Sequence, residues 1–335
     1  MSKVFFLGAG FSKALNDNFP LLTDLMNENG NENIQNYLGK GSLKTHYDEL
    51  STTIKENVEE LLTYLSTDLP WKSDITKHAN EALYFAISDF ISKKFIKLSS
   101  ETQTNQDIFN GFARYILNRH GEYNFITLNY DTLLEDLLIK NCPQENKFEY
   151  EDFYQYPMST LNSRTGDPKW GRSKHTDTAP KILKLHGSAN WFWAGTSPAD
   201  NIYYSNGNES DTVKAGLKPY IIPPVMDKNA FYNHIAIRFL WQSAEQLLKE
   251  ANEIYIVGFS FPPTDISVRF LFKSALRNSQ AKIFIINSDK MGKLKKRYEE
   301  IFKENCVTDY TYTGNKKVFE RFIRGNSFIH KHIIS

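Results

Sequence analysis

The sequence predicts an α/β fold: a Rossmann-like parallel sheet with helices on both faces, plus an inserted helical subdomain. Three observations predict it. Short apolar runs alternate with helical segments after residue 121, which is typical of a parallel sheet that is covered on both sides. The chain opens with an apolar strand that leads into a glycine-rich turn. Between about residues 25 and 120 the apolar residues repeat at helical spacing.

The first strand is predicted at Lys3 to Leu7, and Gly-Ala-Gly-Phe-Ser at 8–12 is the turn before a helix. Glycines let the backbone approach a phosphate, and N–H groups at a helix start point towards an anion. The dinucleotide fingerprint needs a third glycine three residues after the second, and Lys13 stands there. A tight turn that binds nothing has the same pattern, so this segment alone leaves both interpretations open.

The next segment, up to residue 120, predicts three helices. Apolar residues from Val58 to Leu65 lie on one helix face. A second stripe runs from Ile75 to Ile91 after Ser73, a residue type that favours the N-cap position. A third helix covers about 106–118 and ends near Gly121. Such stripes are typical of a packed core.

Strands and helices alternate over the rest of the chain. The predicted strands are Asn124 to Leu128, Lys181 to Leu185, Tyr220 to Ile222, Glu253 to Val257 and Lys282 to Ile286. The predicted helices are Thr132 to Lys140, Ile237 to Lys249 and Asp265 to Leu276. Residues 143–180 and 194–219 have no clear period, and long loops of this kind are lids, binding loops or subunit contacts.

Small or polar residues follow five of the predicted strands. They are Gly-Ala-Gly-Phe-Ser at 8–12, Asn-Tyr-Asp at 129–131, His-Gly-Ser at 186–188, Gly-Phe-Ser at 258–260 and Asn-Ser-Asp at 287–289. Ligands of open α/β sheets bind beyond the carboxyl ends of the strands. We therefore expect these five strand ends to meet at one edge and to form the binding site.

Composition excludes several classes of protein. The chain has 335 residues, 41% of them hydrophobic, and a net charge of +1, so a sizeable core is expected and bulk-charge binding to nucleic acid is not. Its two cysteines, Cys142 and Cys306, exclude a four-cysteine zinc ribbon and a disulfide framework. No apolar run reaches membrane-spanning length. We expect a cytoplasmic protein with no metal site.

Five motifs occur in the order found in the SIR2 family. They are Gly-Ala-Gly-Phe-Ser (8–12), Thr-Leu-Asn-Tyr-Asp (127–131), Leu-His-Gly-Ser (185–188), Val-Gly-Phe-Ser-Phe-Pro-Pro-Thr-Asp (257–265) and Ile-Ile-Asn (285–287). Ile-Ile-Pro-Pro at 221–224, followed by Trp241, Ala244 and Leu247, resembles the SIR2-like branch of bacterial anti-phage systems. The resemblance implies one domain over 1–335, with 25–120 as a helical insertion and 1–24 plus 121–335 as the Rossmann-like core.

The resemblance also implies a reaction, the cleavage of the bond between nicotinamide and ribose in NAD+. It places Asn129 near the ribose, where it positions water, and Asp131 on the carboxamide of nicotinamide. It gives His186 a hydrogen bond to a ribose hydroxyl and the role of base. The pyridinium leaves as a neutral molecule, so no general acid is needed to protonate it.

The cofactor-binding residues follow from the same resemblance. The first glycine turn wraps the pyrophosphate, Ser260 adds a second phosphate contact, and Asn287 with Asp289 faces the adenosine ribose. The full set is Gly8, Ala9, Gly10, Phe11, Ser12, Thr127, Gly258, Ser260, Asn287 and Asp289.

Each assignment has a structural alternative. Asn129 and Asp131 are residue types that cap helices, and a helix is predicted to start at Thr132. His186 could be a structural histidine at a strand end, and Ser260 an ordinary turn residue.

Three functions stay open on the sequence: an NAD+ hydrolase, an NAD-dependent protein deacylase, and a nucleotide-binding or assembly subunit. The missing zinc ribbon, and the lack of a clean counterpart of the sirtuin segment Gly-Ile-Pro-Asp-Phe-Arg, favour water as the nucleophile. A free hydrolase of NAD+ would be toxic, so we expect a gated enzyme. Gating would come from a homo-oligomer or a partner, such as a HerA-type ATPase or an Argonaute-like protein.

Overall fold

The structure is a computed structural model that describes most of the chain. The described residues are 2–20, 33–101, 107–119, 122–143, 148–156, 158–160, 178–195, 197–205, 216–223, 231–288, 293–302, 307–313 and 317–325. Asp289 and Cys306 lie outside them. Among the described residues, no helix is long and apolar enough to cross a membrane.

Within the described ranges, ten strands form two sheets. They are β1 (Lys3–Leu7), β2 (Tyr123–Thr127), β3 (Ser159–Thr160), β4 (Ile182–Lys184), β5 (Gly187–Trp193), β6 (Tyr203–Tyr204), β7 (Lys218–Ile221), β8 (Glu253–Val257), β9 (Lys282–Asn287) and β10 (Val307–Thr313). Six of them form a parallel sheet in the order β10-β9-β8-β1-β2-β4.

The helices carry the chain between these strands. They are α1 (Ala9–Leu15), α2 (Ile34–Leu38), α3 (Ser42–Glu49), α4 (Thr52–Lys55), α5 (Val58–Ser66), α6 (Asp74–Glu101), α7 (Asp107–Leu117), α8 (Leu133–Lys140), α9 (Tyr150–Phe153), α10 (Ile235–Glu250), α11 (Ile266–Ala275), α12 (Lys293–Ile301) and α13 (Val318–Gly325). Ser73 accepts a hydrogen bond from Thr76 N at 3.2 Å, which confirms it as the cap of α6.

The sheet separates two hydrophobic cores, and β1 shows how. Successive strand residues point to opposite faces. Phe5 and Leu7 pack in a core with α1, α5 to α8 and α13, whereas Val4 and Phe6 pack in a core with α10 to α12. All four side chains are buried. Helices therefore cover both faces, which confirms the fold class predicted from the alternating pattern.

The carboxyl ends of five parallel strands are level with one another. Leu7 pairs with Thr127 on one side and with Val257 on the other. Thr127 in turn pairs with Lys184, and Val257 with Ile286. The loops that leave these strands therefore start at one height along a single edge of the sheet, and this edge positions the candidate site.

One predicted strand was placed in the wrong sheet. Tyr220 to Ile222 was expected in the parallel sheet, but β7 pairs antiparallel with β5 in a second sheet of order β3-β6-β5-β7. Strand β5 itself was not predicted, because His-Gly-Ser was interpreted as a loop at a strand end. Gly187 instead adopts φ +75°, and β5 starts at this residue. The sequence His-Gly-Ser is compatible both with a loop and with a strand that begins at a left-handed glycine, so the two could not be told apart.

The start of the first helix and the last elements of the chain also differ from the sequence-based expectation. The turn predicted at 8–12 is mostly helix, since α1 begins at Ala9. Strand β10 and helix α13 were not predicted, although α13 closes one core through Phe319 and Phe322.

Candidate active site

A cavity of about 1060 Å³ lies at the edge of the sheet where the carboxyl ends of the five parallel strands meet. Residues that follow each of the five strands line it, as the sequence predicted. They are Gly8, Ala9, Gly10 and Ser12 after β1, Asn129 and Asp131 after β2, His186 after β4, Gly258 and Ser260 after β8, and Asn287 and Ser288 at β9. The structure thus brings together three catalytic candidates and most of the cofactor-binding candidates.

Three candidates do not line the cavity or cannot be placed. Phe11 is buried in the core, where its ring lies 5.4 Å from that of Phe319. Thr127 lies behind the site: its hydroxyl donates to Leu7 O at 3.2 Å and accepts from Asn129 N at 3.0 Å. It orients the turn that carries Asn129. Asp289 is outside the described residues.

The two glycine turns pack directly against each other. Gly8 N donates to Val257 O at 2.9 Å, and Gly10 N donates to Gly258 O at 3.0 Å. These two amides, which were expected to face a phosphate, are therefore used inside the protein. The lack of side chains lets the turns approach, since a Cβ on Gly10 would lie 2.6 Å from the Cα of Gly258. Ala9, at the start of α1, is exposed.

The side-chain amide of Asn129 is fixed by two hydrogen bonds. Its Nδ2 donates to Gly8 O at 3.0 Å and to Ser12 Oγ at 2.9 Å. A backbone carbonyl can only accept, so the amide orientation is determined. Both amide hydrogens are thereby used, and the Oδ1 atom has no donor partner within the described part of the chain. Asn129 therefore offers the cavity a hydrogen-bond acceptor.

Asp131 is held by its neighbours on both oxygens. Ser12 Oγ donates to Oδ2 at 2.6 Å, and Leu133 N donates to Oδ1 at 3.2 Å. The second contact satisfies the first backbone N–H of α8, whose N-cap residue is Thr132, so Asp131 both contacts the helix start and lines the cavity. Burial raises the pKa of Asp131 above its ordinary value, and Lys184 and Ser12 oppose that rise.

His186 is placed by contacts of the backbone around it. Its own carbonyl accepts from Ile222 N at 2.8 Å, and Trp241 Nε1 donates to Leu185 O at 3.2 Å. The imidazole is 5% exposed and lies 6.4 Å, centre to centre, from the Trp241 ring. Trp241 was noted in the sequence only as part of a motif, and here it forms a wall beside the imidazole.

At the β9 end of the cavity, the side-chain amide of Asn287 is held in the same way as that of Asn129. Asn287 Nδ2 donates to Phe259 O at 3.1 Å and to Tyr298 OH at 2.9 Å. Both amide hydrogens are again used, so Asn287 also offers an acceptor. Ser260 lies nearby, with its carbonyl held by Arg297 at 2.9 Å.

Sequence reasoning missed several lining residues. Helices α5 and α6 contribute Glu59 and Phe95, the loop before α11 contributes Asp265, and Lys317 stands before α13. Asp265 ends the motif at 257–265 but was given no role, and no motif marks the other three, which reach the cavity only through tertiary packing. Among the residues that the structure describes, no group of three or more His, Cys, Asp and Glu side chains is placed to hold a metal ion.

A partly buried carboxylate, that of Asp136, lies on α8 close to the site. Asp136 accepts hydrogen bonds from the hydroxyls of Tyr150 and Thr132. Burial nonetheless raises the pKa of Asp136 to about 6. The folded protein therefore binds this proton more tightly than the unfolded chain does.

Asp136 should make the stability of the protein fall as pH rises. The pKa of Asp136 is about 6 in the folded protein, against the ordinary value of 3.8 for this side chain, so the loss occurs between those two values. The free energy of unfolding of the wild type, minus that of Asp136→Asn, should fall by about 2 kcal/mol between pH 4 and pH 7. Urea titrations at both pH values measure it. Asp74→Asn, at a carboxylate that is 91% exposed, is the control; equal pH dependence in the two variants would contradict the prediction.

Comparison with known proteins identifies the family of the chain. A family model described as SIR2-like domain matches residues 124–310, which is more than half of the chain. The chain belongs to the SIR2-like family. The matched region includes Asn129, Asp131, His186, Ser260 and Asn287, whereas the first glycine turn of this SIR2-like protein lies before it. No curated protein sequence matches the chain significantly.

Solved sirtuin structures are similar to this SIR2-like chain over nearly its whole length. A mutant Sir2 homologue in complex with ADP-ribose is 14% identical, with 97% of this chain and 92% of that chain covered and a TM-score of 0.46. A sirtuin structure described as the structural basis of substrate affinity is also 14% identical, with 97% of this chain and 93% of that chain covered and a TM-score of 0.42. Sir2 bound to deacetylated p53 peptide and 3'-O-acetyl-ADP-ribose is 12% identical, with 98% and 94% covered and a TM-score of 0.44.

Proposed function

We propose that this SIR2-like protein hydrolyses NAD+ to nicotinamide and ADP-ribose. One observation carries the proposal: a single cavity is lined by a fixed amide acceptor, a buried carboxylate and a histidine, on Asn129, Asp131 and His186. The volume of about 1060 Å³ is sufficient for a dinucleotide.

The residues divide the reaction between them. In the proposed step, the bond between the ribose C1' and the nicotinamide nitrogen breaks, and its electron pair goes to that nitrogen. Water bonds to C1' while it donates a hydrogen bond to Asn129 Oδ1, and its proton passes to His186, either directly or through a ribose hydroxyl. Asp131 accepts from the carboxamide N–H group, and its negative charge favours the cationic pyridinium and the positive charge that grows on the ribose.

The rest of the cavity fits the adenosine half of the substrate. In the proposed pose, Asn287 Oδ1 accepts from an adenosine ribose hydroxyl, and Ser260 donates to a phosphate. The exposed Ala9, at the start of α1, takes the place at the pyrophosphate, because the Gly8 and Gly10 amides and the Ser12 hydroxyl already donate inside the protein. Asp289 is proposed with Asn287 from the sequence resemblance alone.

A hydrolase that consumes NAD+ has to be controlled in a living cell. We place this protein in bacterial anti-phage defence, as a gated effector that depletes NAD+ once it is activated. The gate is proposed as assembly into a homo-oligomer or binding of a separate partner, for which a HerA-type ATPase and an Argonaute-like protein are the candidates. Light scattering of the active form that shows a fully active monomer would contradict this part.

The test is nicotinamide release from NAD+ without any peptide. The wild type should release nicotinamide and ADP-ribose in equal amounts, alone or with its partner. Asn129→Ala should lower the rate about 10²-fold or more, because it removes a positioned acceptor. Asn141→Ala is the matched control: that amide also donates twice, to Asn110 Oδ1 and Leu137 O, and does not line the cavity.

Two results would contradict the proposal. Release that depends on an added acyl-lysine peptide would instead favour a deacylase. Tight nucleotide binding without turnover, alone and with the product of the neighbouring gene, would favour a binding or assembly subunit.

A further inference from the structure

A buried lysine lies beneath the turn that carries Asn129 and Asp131. Lys184, the last residue of β4, donates from Nζ to Asp131 O at 2.5 Å and to Glu135 Oε1 at 3.0 Å. The side chains of Lys184 and Glu135 are each 1% exposed. Tyr154 OH also donates to Glu135 Oε1, at 2.9 Å. One ammonium group thus joins β4, the turn after β2, and α8.

Stability alone is a poor explanation for this pair. Removing two charges from water costs more than their attraction commonly returns, and apolar residues of similar size often stabilise a fold equally well. The position of the lysine is more informative. Lys184 is two residues before His186 in the chain, and its ammonium contacts the backbone of Asp131, so it lies between two residues proposed to act on the substrate.

The charges around Asp131 give the lysine a specific role. Four groups face the Asp131 carboxylate: the Ser12 hydroxyl from α1, the Leu133 N–H and the Glu135 carboxylate from α8, and the Lys184 ammonium from β4. Among these, Lys184 is the cation and Glu135 is a second anion. Burial and Glu135 raise the pKa of Asp131, whereas Lys184 lowers it.

We propose that Lys184 is a positioning residue that fixes the Asp131 turn through its backbone carbonyl and keeps the Asp131 carboxylate ionised for the nicotinamide end of the substrate. The inference rests on the proposed function, because it assumes that ionised Asp131 contacts NAD+. It goes beyond that function, because it assigns the state of the site to a residue that does not line the cavity.

The test is NAD+ binding as a function of pH, measured by calorimetry from pH 5 to pH 8. All chains carry His186→Ala, which prevents turnover and removes the imidazole from the pH profile. The reference chain should bind more weakly as Asp131 takes up a proton. With Lys184→Met added, this loss should begin at a higher pH, and Kd should rise about tenfold because the Asp131 turn loses a charge-assisted hydrogen bond at its carbonyl. With Lys184→Arg, which keeps the charge, the midpoint should stay and Kd should change less than about threefold.

A second pair of variants separates the effect of Lys184 on NAD+ binding from its effect on the stability of the fold. Lys184→Met alone leaves the Glu135 carboxylate buried without a cation, and it should lower the melting temperature. Lys184→Met with Glu135→Leu removes both charges, so its melting temperature should return towards that of the reference. Its NAD+ binding should nevertheless stay weaker, because the contact to Asp131 O is missing and the effect of Lys184 on Asp131 exceeds that of Glu135.

The outcomes are distinct. A Lys184→Met profile parallel to the reference, or a double variant that binds NAD+ as the reference does, overturns the inference. Absence of NAD+ binding by the reference chain at every pH overturns both the inference and the NAD+ site. NAD+ binding that follows the expected pH shifts, together with a wild type that never releases nicotinamide, supports the inference and removes only the hydrolase.

Discussion

Replacing His186 by alanine should lower kcat for NAD+ hydrolysis about 10²- to 10⁴-fold, the usual contribution of a positioned general base. The fold should survive, because the contacts that place this segment are made by backbone atoms: His186 O accepts from Ile222 N, and Leu185 O accepts from Trp241. Steady-state kinetics with NAD+ measure the effect, and circular dichroism checks the fold.

The matched control is a second buried histidine outside the cavity. His234 is 4% exposed and caps α10, with Nδ1 accepting from Ala236 N at 3.2 Å. Asparagine is a favoured cap, so His234→Asn should keep both the fold and kcat within a few-fold. If His186→Ala retained full activity, or if His234→Asn lost as much, the imidazole of His186 would not be the base.

Substituting Gly258 by alanine should destabilise the protein by about 3 kcal/mol or more, since it combines backbone strain with a clash. Gly258 adopts φ +64°, a conformation that L residues rarely adopt. Its new Cβ would lie 2.5 Å from the Cα and C atoms of Gly10 and from Phe11 N. All three are backbone atoms, so neither turn can yield without opening the cavity wall.

A second glycine with the same φ is the control that separates the effect of the steric clash from that of the backbone strain. Gly39 also has φ +64°, but a Cβ there would meet no atom within 4 Å. Gly39→Ala should therefore cost only the backbone strain, about 1–3 kcal/mol. The free energy of unfolding in urea compares the two variants, and NAD+ binding should be lost only in Gly258→Ala. Equal losses of stability would mean that the two glycine turns do not depend on their close approach.

The parallel sheet could be predicted from the sequence because its strands have clear boundaries. Strands β1, β8 and β9 are short apolar runs bounded by glycine or polar residues, and their predicted bounds agree with the structure to within one residue. Strand β5 escaped prediction because nearly all of its residues are buried, so its sequence shows no alternation of apolar and polar side chains. Strand β7 was placed in the wrong sheet because its antiparallel pairing depends on that unpredicted neighbour.

For the candidate site, strand ends could be predicted but contacts could not. The rule that loops at the carboxyl ends of parallel strands share an edge was enough to bring Asn129, His186 and Ser260 to one cavity. It could not show that the Gly8 and Gly10 amides bond to the β8 turn, because that depends on distances between loops. Nor could it identify Lys184, whose residue type is rare in a buried strand and whose partners lie on another element.

His186 lies where the two sheets join. Leu185 N still bonds to Thr127 O in the parallel sheet, at 2.9 Å, while the carbonyl of His186 bonds to Ile222 beside β7 in the second sheet. Asn129, in contrast, follows a strand of the parallel sheet only. The separation between the His186 imidazole and the Asn129 amide therefore depends on how one sheet is oriented on the other. A small rotation between the sheets would change the geometry of the proposed active site while every side chain of the cavity stayed chemically intact.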